Sequence, residues 1–492
     1  MDTRALMIQG TMSTVGKSTI VAGLCRLFMQ DGIRVMPFKA QNNEKTERRM
    51  TKEGVEISWA QAVQARAAGV EPCSLMNPIV INRITDEEVT VAIRGEYWDT
   101  VNEKQFQERK GELIPAIQES YEELKKQADL IIIEGSGSPA EINIRENDIV
   151  NMGMAEIADC PVILVADISI GGAFAQLLGN VEFMTPEERK RIKGFIVNKF
   201  HGDRSILENG LQILERKTQI PVLGIIPRMD VHLEEEDSLV EKRLEELYGD
   251  VDIAVIRFPK MTNASDLMPL DLEDQISVRY VTRPEDLQKA DLILLPSTAT
   301  PIADMNWLRE SGLADQIVKL NTAGIPVMGI CGGFQMLGEM IIDRHHTEGK
   351  DSMRGLGLLP MTTELMPEKT VKQVTGKVAN LTGLWEPLSG KRIRGLEILL
   401  GESSSRRGNT FSIVDGKWSG ACSDNVLGTY LHGIFEEDEF RRAFVTLFTQ
   451  KRKVEKVESS VRAEQEKQYD ILADSFRWNL DMDKIRKIIN LG

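Results

Sequence analysis

The N-terminal end of the chain constrains the fold most, because it combines a short apolar strand, a glycine-rich turn and a helix. Residues 5–9 read as a buried strand, and the helix after the turn has apolar residues at helical spacing. Such a turn is typical of a phosphate-binding loop, whose backbone N–H groups cradle phosphates at the start of a helix. The residues expected to contact ATP in this loop are Gly10, Thr11, Gly16, Lys17, Ser18 and Thr19.

Three positions of this loop have defined chemical tasks. Lys17 is expected to neutralise phosphate charge, and the hydroxyl of Ser18 or Thr19 to reach a Mg²⁺ ion. Five residues separate Gly10 from Gly16, whereas the usual loop has four. The strand before the loop and the helix after it therefore support the assignment more than the spacing does.

Residues 1–228 alternate short apolar strands with helical stretches, which predicts a mostly parallel sheet wound with helices. Strands are predicted at residues 6–9, 34–38, 130–134, 162–167, 194–197 and 222–226, and helices at 103–127 and 205–218. Ligands of such sheets bind beyond the carboxyl ends of the strands. The polar residues at these ends are Lys39, Glu134, Asp167 and Asn198.

These four residues extend the predicted ATP site. Glu134 ends an apolar run, where an unpaired carboxylate is costly to bury, so a Mg²⁺ ion that bridges ATP phosphates is a suitable partner. Asp167 is a second candidate ligand of that ion, and Lys39 is expected to stabilise the transferring phosphate. Asn198 is a candidate for binding the adenine edge, although asparagine is also common in turns.

Cys331 indicates a second reactive site in the chain. It lies between glycines after the apolar residues 326–328. A cysteine on such a turn, at the start of a helix, is an exposed nucleophile with a lowered pKa. Gly332 offers an unhindered N–H for an oxyanion. His432, a hundred residues later, is the candidate general base and acid. The alternative interpretation of Cys331 is a small buried hydrophobic residue, but that role does not require the flanking glycines.

Composition excludes several classes of partner. A formal charge of −15 argues against nucleic acid or an anionic membrane as the main partner. No apolar run approaches the roughly 18 residues of a membrane span, and no signal peptide precedes the first strand, so a cytoplasmic protein is expected. The five cysteines are widely scattered and show neither a zinc pattern nor a disulfide framework. The oligomeric state is left open.

A chain of 492 residues is too long for one core and predicts two domains. We predict a nucleotide-binding domain at residues 1–228, an acidic linker at 229–250, a second wound domain at 251–448 and a helical tail at 449–492. Strand and helix alternation resumes in the second domain, so the predicted fold class is α/β, with two wound parallel-sheet domains.

A nucleophilic cysteine with a distant histidine, joined to an ATP site, suggests that one domain produces ammonia and the other uses it. Glutamine would form a thioester at Cys331 and release ammonia, while ATP activates a carboxylate as an acyl phosphate. The predicted class is therefore an ATP-dependent and glutamine-dependent carbon–nitrogen ligase.

The chain resembles the cobyric acid synthase family along nearly its whole length. The most specific part is the run at residues 134–143, continued at 148–153. Further matches are at residues 9–11, 16–18, 38–42, 60–69, 76–78, 307–309, 331–338, 428–433 and 468–470.

This resemblance implies an N-terminal synthetase domain similar to dethiobiotin synthetase and a C-terminal glutamine amidotransferase domain. It also implies Mg²⁺- and ATP-dependent amidation of the b, d, e and g carboxylates of adenosylcobyrinic acid a,c-diamide. Glutamine and a polycarboxylate corrinoid would be the partners. This branch has no glutamate two residues after the histidine, and position 434 is Ile434 here. His432 would therefore need another orienting group, such as backbone or water.

Several polar positions of the family pattern differ in this chain. Arginines are expected where Trp59 and Ile170 stand, a glycine where Ser297 stands, and a histidine where Leu399 stands. Losing arginine forks weakens carboxylate binding, because bidentate pairs hold and orient the anion. Two alternatives therefore remain beside the corrinoid reaction: a paralogous amide ligase acting on another polycarboxylate or tetrapyrrole, and a nucleotide-binding regulatory protein whose amidation has decayed.

Overall fold

The computed structural model describes residues 3–491, except 45–47, 52, 84–87, 143–144, 146–147, 230, 232–248, 350–351, 406–409 and 450–459. Most of the predicted linker therefore lies outside the described residues. Contacts divide the chain into two compact units. Unit 1 comprises Met1–Leu233 together with Gln465–Gly492, and unit 2 comprises Glu234–Glu464. Much of the predicted C-terminal tail thus belongs to the same unit as the N-terminus.

The described strands are numbered in chain order. They are β1 Arg4–Gly10, β2 Val35–Phe38, β3 Gln41–Glu44, β4 Arg48–Met50, β5 Glu56–Ser58, β6 Ile79–Arg83, β7 Glu88–Ile93, β8 Glu96–Asn102, β9 Leu130–Glu134, β10 Val162–Asp167, β11 Ile192–Phe200, β12 Val222–Pro227, β13 Val251–Ile256, β14 Ile276–Val281, β15 Leu292–Leu295, β16 Val327–Ile330, β17 Met340–Ile342, β18 Ser352–Arg354, β19 Met361–Val378, β20 Arg392–Ser405, β21 Ser412–Val414, β22 Lys417–Ser419, β23 Ala421–Ser423, β24 Val426–Thr429 and β25 Leu431–His432.

The described α-helices are numbered in the same way. They are α1 Lys17–Gln30, α2 Trp59–Ala67, α3 Glu103–Arg109, α4 Ile114–Lys125, α5 Met152–Ile157, α6 Ala173–Phe183, α7 Pro186–Arg191, α8 Glu208–Thr218, α9 Met268–Asp271, α10 Pro301–Glu310, α11 Leu313–Thr322, α12 Gly332–Leu337, α13 Asp438–Thr449, α14 Val461–Asn479 and α15 Met482–Ile488.

The main sheet of unit 1 has the strand order β12-β11-β10-β1-β9-β2, and all its neighbouring strands are parallel. Its strands β9 and β10 are buried along their whole length, because helices cover both faces of such a sheet. The wound α/β fold predicted for this part of the chain is confirmed. A second sheet, β3-β6-β7-β8, and the β4–β5 pair are additions that the sequence did not indicate.

The single helix predicted at residues 103–127 is wrong. The structure has α3, then a 3₁₀ turn at Lys110–Leu113, then α4. Gly111 weakens the helix at this point, and Pro115 lacks the N–H that a continuous helix would need there. Proline is tolerated in the first turn of a helix, so α4 restarts at Ile114.

Unit 2 repeats the wound arrangement with the order β14-β13-β15-β16-β24-β23, in which only the β23–β24 pair is antiparallel. The part of unit 2 from Met340 to His432 contains a second sheet, β18-β17-β19-β20-β25. This topology places two positions of interest at strand ends. Cys331 directly follows β16, and His432 lies in β25.

The C-terminal helix α14 packs against the helix that follows the phosphate loop. Phe476 and Leu472 are fully buried in the same hydrophobic cluster as Leu24 and Leu27 of α1. A methyl group on Gly23 would lie 2.3 Å from Cε2 of Phe476, so glycine is needed for this close approach. The end of the chain thus completes the core beneath the phosphate loop.

Candidate functional site

The phosphate loop lies between β1 and α1, as its sequence predicts. Gly16 has a φ of 94°, and a Cβ there would lie 2.5 Å from Nδ2 of Asn198. Asn198 uses that Nδ2 to donate a hydrogen bond to the carbonyl of Val15, over 2.8 Å. Asn198 therefore braces the loop from β11, and its proposed contact with adenine stays a prediction. At the other end of the loop, Thr11 donates from Oγ1 to Gln176 of α6 over 2.8 Å.

The Lys17 ammonium lies inside the loop. Its Nζ donates to the carbonyls of Met12, Ser13 and Gly137 over 2.9, 3.2 and 3.2 Å. Burial lowers the pKa of Lys17 to about 8, against the opposing attraction of Glu134. A bound phosphate would favour the charged form, because an anion beside the amine raises its pKa.

Glu134 is the centre of a buried polar cluster at the end of β9. Its Oε1 accepts hydrogen bonds from Ser18 Oγ at 2.9 Å and Lys39 Nζ at 2.8 Å, and its Oε2 accepts one from Gln64 Nε2. Burial alone would raise the pKa of Glu134, but the interactions with Lys39 and Gln64 hold it below its usual value. The predicted phosphate, metal and transfer residues Ser18, Glu134 and Lys39 are therefore brought together.

Asp167 lies at the end of the neighbouring strand β10 but has different partners. Its Oδ2 is 3.1 Å from Nζ of Lys199, and its Oδ1 accepts from the backbone N–H and the hydroxyl of Ser169 at 2.8 and 2.6 Å. Lys199 also donates to the carbonyl of Thr14 in the phosphate loop, over 2.8 Å. This carboxylate is already neutralised by a cation, and its role as a metal ligand stays a prediction.

The donor set around Glu134 fits a magnesium ion bound together with nucleotide. Magnesium prefers oxygen ligands and usually takes one or two from the protein, the rest coming from phosphates and water. Ser18 Oγ and the Glu134 carboxylate are two such oxygens, already adjacent. Among the described residues no cluster of three or more His, Cys, Asp or Glu side chains could hold a metal by itself. The other loop positions, Gly10 and Thr19, lie at the end of β1 and in the first turn of α1.

In unit 2, Cys331 sits on a sharp turn between β16 and α12. Its φ is 49°, in the left-handed region that non-glycine residues rarely adopt, and such strain is typical of functional turns. A methyl group on Gly333 would lie 2.1 Å from the carbonyl of Leu295, and one on Gly332 would lie 2.6 Å from Cγ2 of Thr298. The flanking glycines thus let the turn pack closely against the preceding strand and loop.

His432 is held by a carboxylate, which is the orienting group that the sequence left open. Its Nδ1 is 2.6 Å from Oδ2 of Asp266, and Oδ1 of Asp266 accepts the backbone N–H of Gly433 at 2.8 Å. Both side chains are buried. Nε2 of His432 is buried without a hydrogen-bond partner of good geometry among the described residues. This arrangement fixes the ring and leaves Nε2 for chemistry.

The cysteine and the histidine interact electrostatically. Burial alone would raise the pKa of Cys331, but His432 and the hydroxyl of Ser297 lower it below the usual thiol value. Burial lowers and Asp266 raises the pKa of His432, with a net value of about 10. The pair therefore favours thiolate and imidazolium, which is the reactive form of a cysteine nucleophile. Thr262 donates to Ser297 Oγ over 2.9 Å and so fixes this hydroxyl beside Cys331.

Comparison with known proteins identifies the family. Residues 252–440 match the family described as CobB/CobQ-like glutamine amidotransferase domain, and residues 4–236 match the family described as AAA domain. The chain is 43% identical over 511 residues to a cobyric acid synthase of Lachnoclostridium phytofermentans, and the match covers 99% of both chains. The chain belongs to the cobyric acid synthase family. Its identity to a cobyric acid synthase of Streptococcus sanguinis is 42% over 506 residues, again covering 99% of both chains.

Two residues that differ from the cobyric acid synthase pattern, Trp59 and Ile170, lie in different environments. Trp59 is 4% exposed and belongs to the core cluster around α1, with the guanidinium of Arg66 placed 5.7 Å from its ring centroid. Ile170 is 58% exposed, just beyond the end of β10. Trp59 therefore packs in the core, with the Arg66 cation beside its ring. Ile170, in contrast, exposes an apolar side chain to solvent.

Sequence reasoning missed two residues of these clusters. Asp266 lies in a short 3₁₀ turn at Ala264–Leu267, where an aspartate is ordinarily only a turn residue. Gln64 lies in α2 with an apolar and amide-rich sequence around it. The run at residues 60–69 was noted for its resemblance, and that resemblance was the one available signal for Gln64. Among the described residues, no helix combines the length and apolar character that a bilayer crossing requires.

Proposed function

We propose that this chain amidates the b, d, e and g carboxylates of adenosylcobyrinic acid a,c-diamide, using ATP and glutamine. The observation that carries the proposal is full-length identity of 43% to a cobyric acid synthase, together with both clusters, one around Glu134 and one around Cys331. The proposed compartment is the cytoplasm, and Mg²⁺ is the proposed metal. We propose neither a nucleic-acid partner nor a membrane partner for this reaction.

In unit 2 the Cys331 thiolate would attack the side-chain carbonyl carbon of glutamine. The N–H of Gly332 would stabilise the oxyanion, and His432 would give its Nε2 proton to the departing ammonia. Water, deprotonated at the same Nε2, would then hydrolyse the thioester to glutamate and restore the thiolate. Asp266 keeps the ring oriented through both steps, because it holds Nδ1.

In unit 1 the loop amides and Lys17 would hold the ATP phosphates, and Lys39 would stabilise the phosphoryl group in transfer. Ser18 and Glu134 would hold Mg²⁺, which when bound neutralises phosphate charge. A carboxylate oxygen of the corrinoid would attack the γ-phosphorus, and the bond to ADP would break. Ammonia would then attack the acyl carbon of the resulting acyl phosphate and displace phosphate.

The test is conversion of the corrinoid followed by mass spectrometry. Purified protein would be incubated with adenosylcobyrinic acid a,c-diamide, Mg-ATP and glutamine, and the mass should fall stepwise as carboxylates become amides. An active cobyric acid synthase serves as positive control. Absence of conversion with either glutamine or ammonia would reject this substrate and favour a ligase for another polycarboxylate, for which the exposed Ile170 would be the relevant difference.

A further inference from the structure

Helix α2 carries two glutamines that are completely buried, and one of them contacts Glu134. Gln61 and Gln64 are each 0% exposed, and residues three apart share one face of a helix. Each amide makes hydrogen bonds with one end only. The other end of each is buried without a hydrogen-bond partner among the described residues.

The orientation of Gln64 follows from its partner. Its Nε2 donates to Oε2 of Glu134 and also approaches the carbonyl of Ser18, at 3.5 Å. A carboxylate can only accept, so the NH₂ group must face Glu134. The carbonyl Oε1 of Gln64 is therefore an unused acceptor. Leaving such a group buried and unpaired is costly, so a ligand that carries a donor group would stabilise it.

Gln61 offers the opposite group. Its Oε1 accepts a hydrogen bond from Nδ2 of Asn42 at 2.9 Å, and Asn42 also donates to the hydroxyl of Ser58. Nε2 of Gln61 is then an unused donor. Helix α2 thus carries one acceptor and one donor that are unsatisfied among the described residues, three positions apart along the helix.

The free acceptor, Oε1 of Gln64, can bind only ligands that carry a hydrogen-bond donor or a positive charge. ATP phosphates and substrate carboxylates present oxygen atoms that accept hydrogen bonds, so neither satisfies Oε1 of Gln64. A Mg²⁺ ion held by Glu134 is the competing partner for this oxygen, and the effect of substitution on the KM for Mg-ATP distinguishes it from a nitrogen ligand. Ammonia and primary amides carry N–H groups that do. A primary carboxamide has one acceptor oxygen and donor N–H groups, and so complements the two free ends together.

We propose that Gln61 and Gln64 form an amide-forming site, an inference that rests on the proposed function. Oε1 of Gln64 accepts an N–H of the incoming ammonia and orients its lone pair, while Nε2 of Gln61 donates to the carbonyl oxygen of the acyl phosphate. The C–N bond forms as the C–O bond to phosphate breaks. The electron pair of that C–O bond leaves with the phosphate, which also takes the surplus proton of the nitrogen.

The test separates acyl phosphate formation from ammonia transfer. Gln61→Met and Gln64→Met keep the chain length and a good helix former but remove the amide. Acyl phosphate formation is followed by scrambling of ¹⁸O between the bridging and non-bridging β,γ positions of ATP, with corrinoid and without a nitrogen source. Ammonia transfer is followed by amide formation with ammonium chloride. Gln212→Met, on the exposed side of α8, is the matched control.

We expect the KM for ammonia to rise at least about tenfold in Gln64→Met, equivalent to about 1.4 kcal/mol. In Gln61→Met the rate of amide formation falls. In Gln61→Met isotope scrambling falls less than amide formation does, and the KM for Mg-ATP stays near the control value, because the structure shows no hydrogen bond between Gln61 and Glu134. Gln61→Met also serves as the decisive variant if thermal melting shows that Gln64→Met does not fold.

A result in which scrambling falls as much as amide formation in Gln61→Met would overturn the inference. So would a raised KM for Mg-ATP with an unchanged KM for ammonia, because the amides would then serve the nucleotide or its metal. Failure of the proposed function gives a different pattern. In that case the unmodified protein itself would show neither scrambling nor amide formation with the corrinoid.

Discussion

Asp266→Asn is the most informative single change, because Asp266 is proposed to act on the reaction by orienting His432. The replacement keeps the size of the side chain and removes its charge. The new amide presents an N–H₂ group or a neutral oxygen to Nδ1 of His432, in place of the carboxylate that now lies 2.6 Å away. If the NH₂ group faces Nδ1, the imidazole proton moves to Nε2, and the ring loses its function as base.

The expected size of the effect follows from that one contact. A hydrogen bond to a charged group is worth about 1.5–3 kcal/mol, which corresponds to roughly a 10- to 150-fold loss in kcat/KM for glutamine. The change also removes the interaction that raises the pKa of His432 to about 10 against burial. The thiolate–imidazolium pair is lost when the histidine deprotonates, so the upper pH limit of glutamine hydrolysis should move to lower pH.

The assay compares glutamate release with ammonia-dependent amidation from pH 6 to 10, each with the unmodified protein, the variant and a control. Asp274→Asn is the matched control, because Asp274 is an exposed carboxylate eight positions further along the chain. Glutamine hydrolysis should fall in Asp266→Asn only, whereas amidation from ammonia should be unchanged in all three proteins. An upper pH limit that does not move, or an equal loss of both activities, would refute the positioning role of Asp266.

Three further predictions concern Cys331, Lys17 and Phe476. Cys331→Ala should abolish glutamine hydrolysis and keep amidation from ammonia; loss of both in a folded protein would contradict separate nitrogen and ATP chemistry. Lys17→Ala should abolish amidation from either nitrogen source, measured by corrinoid mass, and persistent activity would remove the phosphate loop from the mechanism. Phe476→Ala should lower the free energy of unfolding by about 3–5 kcal/mol in urea titrations, because its ring fills the space above Gly23; a loss below 1 kcal/mol would show that this contact is not tight.

Much of the fold could be predicted because its signals are local. A buried parallel strand is a continuous apolar run, and β1, β9 and β10 show this pattern before any contact is known. The helix predicted at 103–127 failed where Gly111 and Pro115 interrupt it, since periodicity alone extended across the break. Strands β3 to β8 carry mixed polar and apolar residues instead of a continuous apolar run. Strand β3 pairs with β6, a partner distant in the sequence, whereas β4–β5, β6–β7 and β7–β8 are antiparallel pairs of consecutive strands.

By itself, the sequence determined the phosphate loop, the cysteine turn and the polar strand ends, because each depends on neighbouring residues and their backbone preferences. The tertiary structure decided which distant groups complete them. Asp266 reaches His432 across 166 positions, and Gln64 reaches Glu134 across 70. Such pairs form when packing brings separate segments together, and a buried polar group then requires a partner wherever the fold provides one. The reactive residues could therefore be predicted from the sequence, whereas the residues that orient them could be identified only in the folded protein.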